Sequence, residues 1–100
     1  MKILLTNDDG YQAIGIRTLA EELSKTHEIY LVAPDTERSG ASQSATYFSQ
    51  DLTVTKQDIP GVKEAYSVSG TPADCAYVGI NFLLKEKMDL VISGINKGWN

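Results

Sequence analysis

The sequence predicts an α/β fold of the Rossmann-like kind, a parallel or mostly parallel sheet with helices on both faces in a three-layer α/β/α arrangement. Three observations carry this. The runs Ile3-Leu4-Leu5, Ile29-Tyr30-Leu31-Val32-Ala33 and Leu90-Val91-Ile92 are nearly continuous in apolar residues, the pattern of strands covered on both faces rather than one. Segments with apolar residues at helical spacing lie between them. Each run stops in a polar, turn-forming stretch. Alternating strand and helix argues for a parallel sheet, and right-handed crossovers bring the ends of parallel strands to one edge. The loops at 7–10, 35–44 and 93–100 are therefore expected to converge.

Taken in order, the first strand ends at Thr6 and gives way to Asn7-Asp8-Asp9-Gly10. Neighbouring side chains of an extended strand point to opposite faces, so Asp8 and Asp9 reach one ion only if the backbone turns sharply. Gly10 permits that turn because it tolerates positive φ. The alternative reading is a solvated turn whose Asn and Asp side chains only satisfy local amides. Ile14 to Lys25 reads as a helix with Ile16, Leu19, Ala20 and Leu23 on its buried face and Glu21, Glu22 and Lys25 outside. The second strand follows and stops at Pro34. Asp35 to Ser44 is small and polar and reads as a loop. Thr46 to Ser49, Leu52 to Thr55 and Glu64 to Ser69 are short strand-like pieces around a Pro60-Gly61 turn, in a pairing order that the sequence does not define. Thr71-Pro72-Ala73-Asp74 has the form of a helix start, with a hydroxyl cap, proline at the first helical position and an acid in the first turn. Ala73, Ala76, Tyr77, Ile80 and Leu84 then outline an apolar face to about Lys85. The third apolar run, 90–92, reads as a buried strand that ends in Ser93-Gly94-Ile95-Asn96.

One hundred residues suit a single α/β domain spanning 1–100 with one core. A hydrophobic share of 42% and a charged share of 22% fit a folded chain. A net charge of −4 argues against a nucleic-acid polymer as partner, because polyanion binders carry a basic face. No apolar run approaches the roughly 20 residues of a membrane span, and the first residues lack the pattern of a secretory leader, so no membrane partner and a cytoplasmic location are expected. Cys75 is the only cysteine, which excludes an internal disulfide and any multi-cysteine zinc site; it reads as a small apolar helix residue. His27, placed at the opposite edge, reads as an exposed polar residue.

The converging loops gather the carboxylates of Asp8 and Asp9, the hydroxyls of Ser39, Ser42 and Ser44, and the amides of Asn96 and Asn100. These hard oxygen donors suit magnesium, manganese or calcium, whereas zinc and copper sites more often recruit histidine and cysteine. Such an ion polarises a phosphoryl oxygen and lowers the pKa of water, which fits hydrolysis of a phosphate ester. Backbone amides near Gly15 or Gly40, together with Ser42 and Arg38, are candidates for the remaining phosphate oxygens. Tyr11, Tyr47 and Trp99 are candidates for stacking on a base, against the commoner role of aromatics in packing. Walker, GxGxxG and Asp-x-Asp signatures are missing, so phosphate would be held through metal and hydroxyls.

Four motifs occur in order: Thr6-Asn7-Asp8-Asp9-Gly10; Ala33-Pro34-Asp35 with Glu37-Arg38-Ser39-Gly40; Gly70-Thr71-Pro72-Ala73-Asp74-Cys75; and Ser93-Gly94-Ile95-Asn96-Lys97-Gly98 followed by Asn100. Together they resemble the SurE (survival protein E) family of metal-dependent nucleotidases. The resemblance implies a Rossmann-like fold, one divalent cation, magnesium or manganese, and hydrolysis of nucleoside 5'- and 3'-monophosphates to nucleoside and phosphate, with short polyphosphate as a further substrate in some members. It implies Asp8, Asp9, Ser39 and Asn96 as metal ligands. Asp8 and Asp9 would be the catalytic residues, Asp8 as base or nucleophile and Asp9 chiefly as ligand. Asn7, Gly40, Ser42 and Asn100 are expected at the phosphate or substrate. Family members are longer and assemble into dimers or tetramers, so this chain is expected to be a truncated, amino-terminal part of such a nucleotidase whose last strand exposes an apolar edge. Two alternatives differ in class. A magnesium-binding receiver domain also has paired acids after its first strand, but needs a phosphoacceptor aspartate after its third, where this chain has only Asp58 between Gln57 and Ile59-Pro60. A non-catalytic fragment would keep the metal site alone.

Overall fold

The computed structural model describes residues 1–36 and 52–94. Five strands form one sheet: β1 (Lys2–Thr6), β2 (Glu28–Pro34), β3 (Val54–Gln57), β4 (Glu64–Val68) and β5 (Leu90–Ser93), in the order β3-β4-β2-β1-β5. All pairings are parallel except β3 with β4. The helices are α1 (Ile14–Leu23) and α2 (Pro72–Val78), the latter continuing as a π-helical turn over Gly79–Leu83.

Strand alternation divides the core between two faces. Ile3, Leu5, Ile29, Leu31, Ala33 and Ala65 meet Ile16 and Ala20 of α1 on one face. Leu4, Tyr30, Val32 and Val68 meet Cys75 and Leu84 on the other. The strands are apolar at successive positions because both faces are covered, which is the three-layer fold that the apolar runs predict. The α1 face is also as expected, with Leu19 and Leu23 partly buried beside Ile16 and Ala20.

The start of α2 is a capping box. Thr71 Oγ1 accepts from the Asp74 backbone N–H at 3.2 Å, and Asp74 Oδ2 accepts from the Thr71 N–H at 2.9 Å. Its buried face differs from the expected one: Ala73, Tyr77 and Ile80 are exposed, whereas Asp74, Cys75 and Gly79 are buried. Two local features rotate the helix. The box turns Asp74 inward, and Gly79 lets the backbone approach the sheet so closely that a Cβ there would lie 3.1 Å from Val32 Cγ2. The wider π-turn then returns Leu84 to the core.

β5 departs from the buried strand read at 90–92 but agrees with the apolar edge expected of the last strand. It is the sheet edge among the described residues, and Leu90 and Val91 are exposed while Ile92 is half-buried. The strand-like piece expected at 52–55 lies at 54–57, and the piece expected at 46–49 falls outside the described residues.

The topology decides where a ligand can sit. β1 feeds β2 on one side through α1, and β4 feeds β5 on the other through α2. The direction of winding reverses between β1 and β5, and open α/β sheets bind ligands beyond the carboxyl ends of their strands at such a reversal.

Candidate functional site

Asn7-Asp8-Asp9-Gly10 leaves β1 at this reversal. The neighbouring strand ends come with it: Thr6 pairs with Ser93, and the Gly94 N–H donates to the Thr6 carbonyl at 2.8 Å. On the other side, the Tyr11 N–H donates to the Pro34 carbonyl at 2.9 Å. Gly10 has φ +106°, and its face rests on the Thr36 main chain, whose carbonyl carbon would be 3.3 Å from an added Cβ. The loops that leave β1, β2 and β5 thus begin side by side, as the crossover rule predicts.

The turn is closed from within by Asn7. Its Nδ2 donates to the Gly10 carbonyl at 2.9 Å, and its Oδ1 accepts from the Gly10 N–H at 3.1 Å. Asn7 is 0% exposed, and both ends of its amide are engaged inside the turn. The same Gly10 carbonyl accepts from the Ala13 N–H at 3.1 Å, which carries the chain into α1. Ala13 caps α1 without a side-chain hydrogen bond, and helical geometry leaves the first N–H groups of α1 without intrahelical acceptors at this edge.

Asp8 is 8% exposed and Asp9 is half-buried. An Oδ1 oxygen of each is shielded from solvent. Carboxylate oxygens are hard donors of the kind that divalent cations such as magnesium and manganese prefer. The site therefore fits a hard divalent ion through its donor chemistry. Among the described residues no three His, Cys, Asp or Glu side chains gather at ion-holding distance. The other expected donors are a hydroxyl and an amide: Ser39 and Asn96 lie outside the described residues, as do Gly40, Ser42, Ser44 and Asn100. Arg38, Tyr47 and Trp99 lie there as well.

Further expectations resolve around the site. Tyr11 packs against the α1-side core, and its hydroxyl lies 3.0 Å from Gln12 Nε2, so it is a packing residue. Cys75 is fully buried in the α2-side core, as read. His27 sits at the opposite edge, half-buried, with Nδ1 3.4 Å from the chain's terminal amine. Asp58 follows β3, whose antiparallel register sets Gln57 beside Ala65 and Val54 beside Val68, so it leaves the sheet at the edge away from Asp8. A receiver domain needs its phosphoacceptor beside the paired acids, and that reading fails here. The clamp made by Asn7 matches the alternative reading of this turn, in which its side chains satisfy local amides, although the turn is buried and not solvated. Its signal was an Asn three residues before a Gly, a pattern of side-chain-closed turns.

Comparison with known proteins agrees with the fold and its motifs. The family model described as survival protein SurE matches residues 3–100. Proteins named 5'-nucleotidase SurE from Clostridium botulinum (strain ATCC 19397 / Type A) and Thermosipho melanesiensis are 53% and 54% identical to this chain over 100 residues, which are all of this chain and 39% of each relative. The crystal structure titled as that of Sure protein from Aquifex aeolicus matches with a TM-score of 0.85 and 43% identity, over 100% of this chain and 39% of that one. The chain therefore spans about two fifths of the length of the relatives it matches, 39% in each case. None of the helices described is long and apolar enough to cross a membrane. With a family match across nearly all of its length and relatives more than half identical throughout, this chain belongs to the SurE family.

Proposed function

We propose that this chain forms the metal-binding, amino-terminal part of a phosphomonoesterase that hydrolyses nucleoside monophosphates at the 5' and, as a second position, the 3' ester, with short polyphosphate as a further substrate. The observation that carries the proposal is the pair of shielded carboxylates on a clamped turn at the reversal point of the sheet. The relatives' shared name, 5'-nucleotidase, supports the substrate class.

In this reading Asp8 and Asp9, with Ser39 and Asn96, hold one magnesium or manganese ion. When bound, the ion supplies Lewis-acid polarisation of the phosphoryl oxygen and a lowered pKa for water. Asp8 takes the proton of the attacking water or attacks as nucleophile, and Asp9 chiefly fixes the ion. Backbone N–H groups at the start of α1, around Gly15, orient phosphate oxygens, as do Gly40 and Ser42. Asn100 contributes at the substrate. The longer form assembles as a homo-oligomer, works without a nucleic-acid polymer or membrane as partner, and is cytoplasmic.

The test is Asp9→Ala in the longer protein. Phosphate release from a nucleoside 5'-monophosphate in the presence of manganese should fall to background, and unaltered turnover would overturn the assignment. A second reading, a fragment that keeps only the metal site, is favoured for the 100-residue chain by its 39% coverage of its relatives. Mn2+ binding without phosphate release by this chain would establish it.

A further inference from the structure

We propose that Asn7 is a positioning residue of the metal centre: its buried side chain locks the Asp8-Asp9 turn in the one shape that presents both carboxylates to a common cation. This rests on the metal reading above. Asn7 and Gly10 bracket the two acids, and a single amide closes the bracket twice, at 2.9 Å to the Gly10 carbonyl and 3.1 Å from the Gly10 N–H. Without such a constraint, consecutive side chains of an extending strand diverge to opposite faces. The bracket is also held from outside, by the hydrogen bond from the Tyr11 N–H to the Pro34 carbonyl and by the seating of Gly10 on Thr36. The acid turn and the start of the loop after β2 therefore share one frame.

The geometry also explains why an amide, not a third acid, occupies position 7. An ionised aspartate has no hydrogen to donate to the Gly10 carbonyl and would add a negative charge to a site that already holds two. Groups that orient metal ligands from behind are typically worth 10–100-fold in metal affinity.

The test uses Mn2+ binding by the full 100-residue chain, followed by the electron paramagnetic resonance of the free ion. Asn7→Leu keeps the branched side-chain skeleton but neither hydrogen bond, and should weaken Mn2+ binding about 10–100-fold. Asn7→Ser keeps an acceptor for the Gly10 N–H and should recover part of that loss, a rescue that a space-filling role would not show. Binding by Asn7→Leu within about twofold of wild type overturns the inference and leaves the metal reading standing. A wild-type chain that binds no Mn2+ removes the metal reading itself. The Gly10 amide then still decides the clamp, and it does so too where a variant fails to fold. In wild-type protein without metal, slow hydrogen exchange at Gly10 supports the lock, and exchange at the rate of an unstructured chain overturns it.

Discussion

Gly10→Ala measures how far the acid turn depends on a backbone shape that side chains avoid. Gly10 has φ +106°, and an L residue held in such a sparsely populated region costs about 1–3 kcal/mol. The added methyl would meet the Thr36 carbonyl carbon at 3.3 Å, and its Cα and oxygen at 3.5 Å. That neighbour is main chain and cannot rotate away, so crowding adds about 1 kcal/mol. Loss of glycine's freedom in the unfolded chain works in the opposite direction by about 0.4–1 kcal/mol. The net expectation is a destabilisation of about 2–3 kcal/mol, a large share of the 5–15 kcal/mol typical of a domain. With a urea slope of about 1.5 kcal/mol per molar, the unfolding midpoint by far-UV circular dichroism should fall by about 1–2 M. Gly61→Ala is the comparison. Gly61 has φ +84°, but its added methyl would meet only the Ser24 side chain, the hydroxyl at 2.9 Å and Cβ at 3.5 Å, and the hydroxyl can turn aside. It should lower the midpoint by the backbone cost alone and leave Mn2+ binding intact, whereas Gly10→Ala should weaken both. A Gly10→Ala midpoint equal to or above that of wild type, or equal loss of Mn2+ binding in both variants, would refute the reasoning.

Other expectations follow from the same structure. Thr71→Ala deletes the acceptor of the Asp74 N–H and should cost about 1 kcal/mol, read as a lower urea midpoint without change in Mn2+ affinity. Stability should also decline in alkali. The Tyr66 hydroxyl donates to Glu64 at 2.8 Å, and this bond together with burial raises its pKa above the ordinary 10.0. Burial first, then the charges of Glu86 and Glu28, raises that of Tyr30. Lys2 is raised above 10.5 by its hydrogen bond to Glu86 and by the charge of Glu28. In all three the folded state keeps a proton that the unfolded chain releases, so the contribution is complete below the ordinary value and is lost as pH rises through the folded one. Urea midpoints measured from pH 9 upward should hold to about pH 10 and then fall, and Tyr66→Phe should flatten that decline. A midpoint that rises above pH 10 would contradict the assignment.

Much of this was legible in the chain because it depends on short-range chemistry. Apolar runs covered on both faces define β1 and β2, helical spacing defines the inner face of α1, and Thr71-Pro72-Ala73-Asp74 contains its own capping box. The placement of Asp8 and Asp9 at the carboxyl end of β1 needed only strand periodicity and the crossover rule. The family resemblance, carried by four ordered motifs, agrees with the match over residues 3–100.

What needed the tertiary structure was everything set by contacts between distant segments. The buried face of α2 could not be read from its apolar spacing, because the close approach of Gly79 to Val32 and the π-turn beyond it choose which side faces the sheet. Which residues of the expected apolar edge are exposed, Leu90 and Val91 with Ile92 half-buried, is set by the pairing of β5 with β1 alone among the described strands. For Asn7 the sequence left two readings open, a substrate contact or a side chain satisfying local amides, and burial with two bonds to Gly10 shows it holding the turn together. Sequence alone determined which groups are present and at which strand end they lie. Only packing decided which polar groups, such as the amide of Asn7, spend their hydrogen bonds on the backbone, since that choice depends on how the turn is seated against neighbours remote in the chain.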